Sequence, residues 1–223
     1  MYFCLVESAC QDAYNFLFLV PGVGSFTFRD LSWWCVAMSE PDVLLDETEI
    51  ADSRLEFAIV GDLSESEADL SEKILSVPVG GECTIFFDSP GGSVYSALSL
   101  MTLIATRQIR ATGIVTGECS SAAIWPFAAC CYRRVTPFSV MLFHRMKWQS
   151  EEHIGINEAA EWSRHFSDLE QEMDHLLAEL FGVPFSKIDT WSKTHRYVRG
   201  QELVEAGIAE MMSLERRKVP TSR

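Results

Sequence analysis

Basic residues are scarce in this chain of 223 residues: 18 Lys and Arg face 32 Asp and Glu, a formal net charge of -14. Phosphate backbones and anionic membranes attract clustered Lys and Arg, so neither nucleic acid nor a membrane surface is an expected partner. Glycine and proline are few, 13 and 8, against 48% apolar residues and 11% aromatics. With a mean hydropathy of +0.07, that balance excludes a collagenous, low-complexity or disordered chain. No apolar run reaches the roughly 18 residues that span a bilayer. The longest early run, Phe16 to Val20, stops at Pro21-Gly22 with no Lys or Arg before it, which argues against a signal peptide or membrane anchor. The cysteines (Cys4, Cys10, Cys35, Cys83, Cys119, Cys130, Cys131) are odd in number and lack a CxxC pair. That speaks against zinc ribbons and secreted disulfide scaffolds and for a reducing, cytoplasmic setting. Neither HExxH nor GxxxxGK[ST] occurs, so no metal and no nucleotide cofactor is expected.

The length fits one large domain with an appendage. Residues 1–53 hold nine acids and a single base, Arg29, and residues 40–52 hold six acids and no base. This stretch reads as an acidic N-terminal extension ending in a solvated arm. It either packs on the body or on a partner, or Met38 is the biological start and residues 1–37 are a translated upstream stretch. From residue 54 onward, strand-like and helix-like segments alternate. Leu55 to Val60 reads as a buried strand, and Ser64 with Glu67 as a capping box opening a helix towards Val77. Cys83 to Phe87 is strand-like, then Asp88 to Ser93 makes a tight turn into a helix reaching about Arg107. Ala111 to Thr116 is the next strand, broken by Gly117, and Ser121 to Cys131 suits a helix buried all round. Val140 to Phe143 is another short strand. Between Ile156 and Leu180, the residues Trp162, Phe166, Leu169, Met173, Leu176 and Leu180 form a sustained helical stripe. Such a helix packs either on its own domain or on a second copy. The alternation favours an α/β domain with mainly parallel pairing.

Three stretches could carry chemistry. In Ser89-Pro90-Gly91-Gly92, adjacent glycines would let main-chain amides approach an anion at a helix start; the bland reading is an ordinary strand-to-helix turn. Gly117 to Ala123 presents Ser121 at a strand end, either as an N-cap or as a nucleophile with the Ala122 N–H facing an oxyanion. Ser139 to His144 ends a strand on a histidine, either a structural residue or the base that a weakly nucleophilic hydroxyl needs. Cys119, two residues before Ser121, is either reactive or a small core filler, as are Cys130 and Cys131.

In this order and spacing, Phe87 to Val94, Gly117 to Ala123, Val140 to His144 and Gln201 to Glu210 resemble the proteolytic subunit of the Clp protease, a serine peptidase of the ClpP/crotonase superfamily. The resemblance covers residues 54–212 and leaves 1–53 and a basic tail, 213–223, outside it. It implies an α/β fold, a repeated β-β-α superhelix with a long protruding handle helix, here Ile156 to Leu180. It further implies Ser121 as nucleophile and His144 as base, with Gly91, Gly92 and Ala122 at the oxyanion hole. Its members form heptameric rings stacked in pairs, fed with unfolded polypeptide by an AAA+ unfoldase. The family's third residue, an aspartate, falls at His195, which cannot serve as a permanent anion. A main-chain carbonyl or His195 could then orient His144, Asp189 could swing in, or the chain could be an inactive ring member with a structural role. A crotonase-type enzyme acting on acyl-CoA is a third class, one that would need neither Ser121 nor His144.

Overall fold

The computed structural model describes residues 55–147 and 153–214. The acidic extension 1–53, the alternative start at Met38, and the tail beyond Leu214 lie outside the described residues. In chain order come β1 (Leu55–Asp62), α1 (Leu63–Ser76), β2 (Glu82–Gly91), α2 (Val94–Thr106) and β3 (Arg110–Cys119). A 3₁₀ turn (Ser121–Ala123) then leads into α3 (Ile124–Ala128), β4 (Tyr132–Val135) and β5 (Val140–Phe143). The last elements are α4 (Ile156–Phe181), α5 (Phe185–Lys193), β6 (Arg196–Arg199), α6 (Gly200–Glu205) and β7 (Glu210–Met211).

Among the described residues the main sheet runs β1-β2-β3-β4-β7, all in parallel, as the alternation of elements requires. β5 leaves this path. It meets β3 in parallel at one pair, Glu118↔Val140, and pairs antiparallel with β6. One face of the central strands is fully buried: Cys83, Ile85 and Phe87 of β2, with Ala111 and Val115 of β3. These join Leu70 and Ile74 of α1 and Leu100 and Ile104 of α2 in a single core. The opposite face, through Thr84, Phe86, Thr112 and Ile114, is only partly covered, unlike most parallel sheets, which are covered on both sides.

Several expected boundaries shift, each for a local reason. β1 is an edge strand whose buried residue is Ile59, while Val60 is exposed. α1 is capped by Asp62, whose carboxylate accepts from Ser64 N–H at 2.7 Å, so the supposed capping box is not used. Glu67 accepts from Ser96 Oγ instead, and Ser64 Oγ accepts from Ser93 N–H. The expected tight turn at Asp88 to Ser93 is mostly strand: β2 runs on to Gly91, with register shifts at Val60/Asp62 and Phe87/Ser89. β3 likewise passes through Gly117. A Cβ there would lie 2.6 Å from Asp88 Oδ1, the atom that accepts from Glu118 N–H. Glycine at 117 permits this approach rather than ending the strand. The helix expected over 121–131 shrinks to a 3₁₀ turn and the five residues of α3, all of them buried. Phe127 sets its edge on Phe87, ring centroids 5.3 Å apart.

α4 matches the expected helix, but its buried face is Met173, Asp174, Leu177, Ala178 and Phe181. Of the expected stripe, Met173 is in the core; Leu169, Leu176 and Leu180 flank it. The carboxyl-terminal half therefore lies on its own domain, whereas Ile156 near the start is 89% exposed. No described helix is long and apolar enough to cross a membrane.

Ser139, fully buried, ties three elements together. Its hydroxyl donates to Val115 O at 2.7 Å and accepts from Thr136 N–H, and its carbonyl accepts from Gly200 N–H. Ser139→Ala should lower unfolding free energy by about 1–3 kcal/mol, the range for orphaning buried polar groups. Denaturant titration with an unchanged m-value would register this as a lower midpoint.

Candidate active site

The site lies where β2, β3 and β5 end side by side. Ser89, fully buried at the end of β2, donates its hydroxyl to Gly61 O at 2.6 Å and accepts from Gly91 N–H. Its carbonyl accepts from Ser120 N–H at 2.9 Å, joining the ends of β2 and β3. Ser120 uses its remaining polar groups as well. Its carbonyl accepts from Ala123 N–H, and its hydroxyl accepts from Leu142 N–H at 2.9 Å. That last bond carries β5 alongside the Ser121 turn. The residue after Ser120 thus meets the residue that follows β5.

Ser121 Oγ donates to His144 Nε2 at 2.8 Å. Ser121 is not in extended backbone; its φ is 54°, a left-handed conformation that costs a non-glycine residue roughly 1–2 kcal/mol. His144 Nδ1 lies 2.6 Å from the main-chain oxygen of Arg145. A carbonyl can only accept, so Nδ1 carries the proton and Nε2 offers its lone pair to the hydroxyl. This is the tautomer that a general base requires.

Gly91 has φ +108°, and a Cβ there would lie 2.7 Å from Ser121 Cβ and 2.9 Å from Ala122 N. Only glycine lets these two turns come together. Gly92, φ +143°, packs as closely on Asp62 and Leu63. Of the expected oxyanion residues, Gly91 and Ala122 lie against Ser121, while Gly92 lines the same cavity as Ser121. A cavity of about 210 Å³ opens beside them, lined among others by Gly92, Ser121, Trp125, His144, Met146 and Leu177. Apolar side chains make up much of its wall, joined by the Ser121 hydroxyl, the His144 imidazole and the polar groups of Lys147, Asp174 and Ser192.

The candidate orienting residues are placed differently from one another. His195, φ 51°, lays its ring near that of His144, centroids 6.0 Å apart and planes 21° from parallel; it stacks rather than accepting from Nδ1. Asp189 is engaged elsewhere, paired with Arg145 and with Lys193 Nζ at 2.7 Å. The Lys193 ammonium, aided by Arg145, holds the Asp189 carboxyl below its ordinary range. Asp189 is thus committed away from His144 in this conformation.

Cys119 is fully buried with its thiol donating to Ala123 O, and burial pushes its pKa well up, so it fills core space and is not a thiolate. Burial likewise raises Cys130, while Cys131 is half-exposed rather than in the core.

Sequence reading overlooked Ser89 and Ser120, whose roles appear only as cross-strand bonds, and the charged group behind His144. Arg145 pairs with Asp174 at 2.7 Å, with Asp189, and more distantly with Glu170 at 3.8 Å. Asp174 is buried, and burial pushes its carboxyl up to about 6 despite the opposing pull of Arg145. The one signal was the spacing of Glu170 and Asp174, one turn apart on α4 behind the apolar stripe.

A family model described as Clp protease matches residues 76–215. No curated protein matches the chain significantly.

The Asp174 shift has a measurable consequence. An acid raised from 3.8 to about 6 on folding leaves the folded chain holding more protons than the unfolded one across that interval. Its contribution to stability is therefore greatest below pH 4 and declines as pH rises to about 6. Asp174→Asn removes this decline, so the variant's unfolding free energy should rise more steeply with pH than the wild type's between pH 4 and 6. Parallel denaturant titrations at half-unit pH steps would reveal the difference in slope.

Proposed function

Starting from the fact that the chain belongs to the Clp protease family, we propose that it is a serine endopeptidase with Ser121 as nucleophile and His144 as general base and acid. The observation that carries this reading is the 2.8 Å bond from Ser121 Oγ to a His144 Nε2 whose lone pair is presented by the Arg145 carbonyl. In the first step His144 Nε2 takes the hydroxyl proton while Oγ attacks the scissile carbonyl carbon. The carbonyl oxygen becomes an oxyanion facing the main-chain N–H groups of Gly92 and Ala122, whose field matters most as charge develops there. His144 then gives its proton to the departing amine, leaving an acyl group on Ser121. Water, deprotonated by the same imidazole, releases the second product and restores the hydroxyl.

Nothing here uses a metal or a redox cofactor. The cavity beside Ser121, with apolar walls and the charged groups of Lys147 and Asp174 in its lining, suits the side chain of an extended polypeptide. By family analogy the substrate is unfolded polypeptide, delivered by an ATP-driven AAA+ unfoldase into a chamber of heptameric rings stacked in pairs. Residues 54–212 would form the peptidase domain of a repeated β-β-α superhelix in a cytoplasmic particle. The exposed first half of α4 and the half-covered sheet face support self-association, with α4 as the handle between rings. A second reading, a ring subunit with a structural role and little activity, is favoured by one observation: among the described residues no carboxylate meets His144 Nδ1.

A fluorophosphonate probe applied to the assembled particle should modify Ser121, and peptide cleavage should fall by about 10³-fold or more in Ser121→Ala. An assembled wild-type particle that neither labels nor cleaves would exclude the peptidase reading and favour the structural one.

A further inference from the structure

The peptide bond between Arg145 and Met146 has both of its polar ends engaged. Its C=O accepts the Nδ1 proton of His144 at 2.6 Å, and its N–H donates to Glu170 Oε1 at 2.6 Å. The Glu170 carboxylate is thus joined to the imidazole through a single amide group. A negative charge on an amide N–H polarises the whole group and makes its oxygen a stronger acceptor, as in any chain of cooperative hydrogen bonds. We propose that Glu170 supplies, through the 145–146 peptide, the anionic support that the residue at position 195 does not, so that Ser121, His144, the peptide and Glu170 form a relayed triad.

This rests on the peptidase reading and refines its orienting group. When His144 takes the Ser121 proton, the imidazolium faces a carbonyl rather than a carboxylate. A neutral carbonyl stabilises that charge less than a carboxylate would, and polarisation by Glu170 recovers part of the difference. The same contact fixes the peptide plane, and with it the direction from which Nδ1 is held.

The surroundings keep the relay in place. Arg145 reaches Asp174 on α4 and Asp189 on α5, and Lys193 holds the other oxygen of Asp189. Glu170 and Asp174 lie one turn apart on α4, so side chain 145 and backbone 146 are anchored to the same helix face. Arg145 and Glu170 are therefore positioning residues, neither of them reaching the reacting atoms. A merely structural Glu170, tying a chain segment to α4, would affect stability without affecting the imidazole.

Glu170→Gln keeps an oxygen that can accept from Met146 N–H but removes the charge, and Glu170→Ala removes both. In assembled particles, confirmed by sizing, Glu170→Ala should lower kcat for a peptide by about tenfold with KM within about twofold. Glu170→Gln should recover part of that loss. A histidine-labelled particle, with the His144 signal assigned by His144→Gln, gives a readout that needs no turnover. The ¹⁵N spectrum should show neutral His144 carrying its proton on Nδ1 in the wild type and losing that preference in Glu170→Ala. Unchanged kcat together with an unchanged tautomer in either assembled variant would overturn the relay. If the wild type does not label with fluorophosphonate, the peptidase reading fails by itself, and the tautomer comparison still decides whether Glu170 orients His144.

Discussion

One bond, from Leu142 N–H to Ser120 Oγ, lays β5 along the exit of β3. The two strands share a single ladder pair at Glu118 and Val140, too little to fix where residue 144 emerges. The serine hydroxyl extends that ladder after the backbone of β3 has turned away. With it in place, the strand that leads into His144 runs beside the turn that begins at Ser121, and the 2.8 Å contact follows. Ser89, one strand further in, secures Ser120 through its carbonyl and Gly91 through its hydroxyl. Two serines, Ser89 and Ser120, therefore build the frame on which a third, Ser121, is displayed.

The frame must also outweigh a local cost. A left-handed Ser121 is disfavoured by roughly 1–2 kcal/mol, and such strain persists only where the surroundings leave no alternative. Here the surroundings are Gly91, which packs against the Ser121 Cβ, and the buried alanines 122 and 123, which close the turn from below. Each hydrogen bond in the frame contributes on the order of 1 kcal/mol net, so several together exceed the strain. The result is a hydroxyl raised from its turn and aimed at the imidazole rather than at a backbone amide.

Electrostatics behind the imidazole follow a different logic. Three acids, Glu170, Asp174 and Asp189, gather around one arginine and one lysine. The exposed Lys193 stabilises the charge on Asp189, whereas burial works against the charge on Asp174. Such a cluster is a weak source of net stability because desolvation offsets attraction. Its value lies in direction: it fixes the chain segment immediately after His144, and so the carbonyl that decides the imidazole tautomer.

Much of this was legible in the residue order. Strand and helix alternation gives the parallel sheet, glycine pairs mark close approaches, and the serine, histidine and glycine stretches stand at strand ends where sites gather. Local pattern also placed α4 to within a residue. It failed where a second segment intervenes: Gly117 reads as a strand breaker until Asp88 lies beside it, and Ser64 as a cap until Asp62 takes the role. The amino-acid sequence alone determined which chemical groups are present and where strands must turn, because those depend on neighbours along the chain. The tertiary structure alone decided which oxygen faces Nδ1, which carboxylates are already paired, and which amide joins His144 to Glu170. Beside the local His144–Arg145 and Asp189–Lys193 contacts, the bonds from Arg145 and Met146 to Glu170, Asp174 and Asp189 join segments more than twenty residues apart, and no local periodicity encodes them.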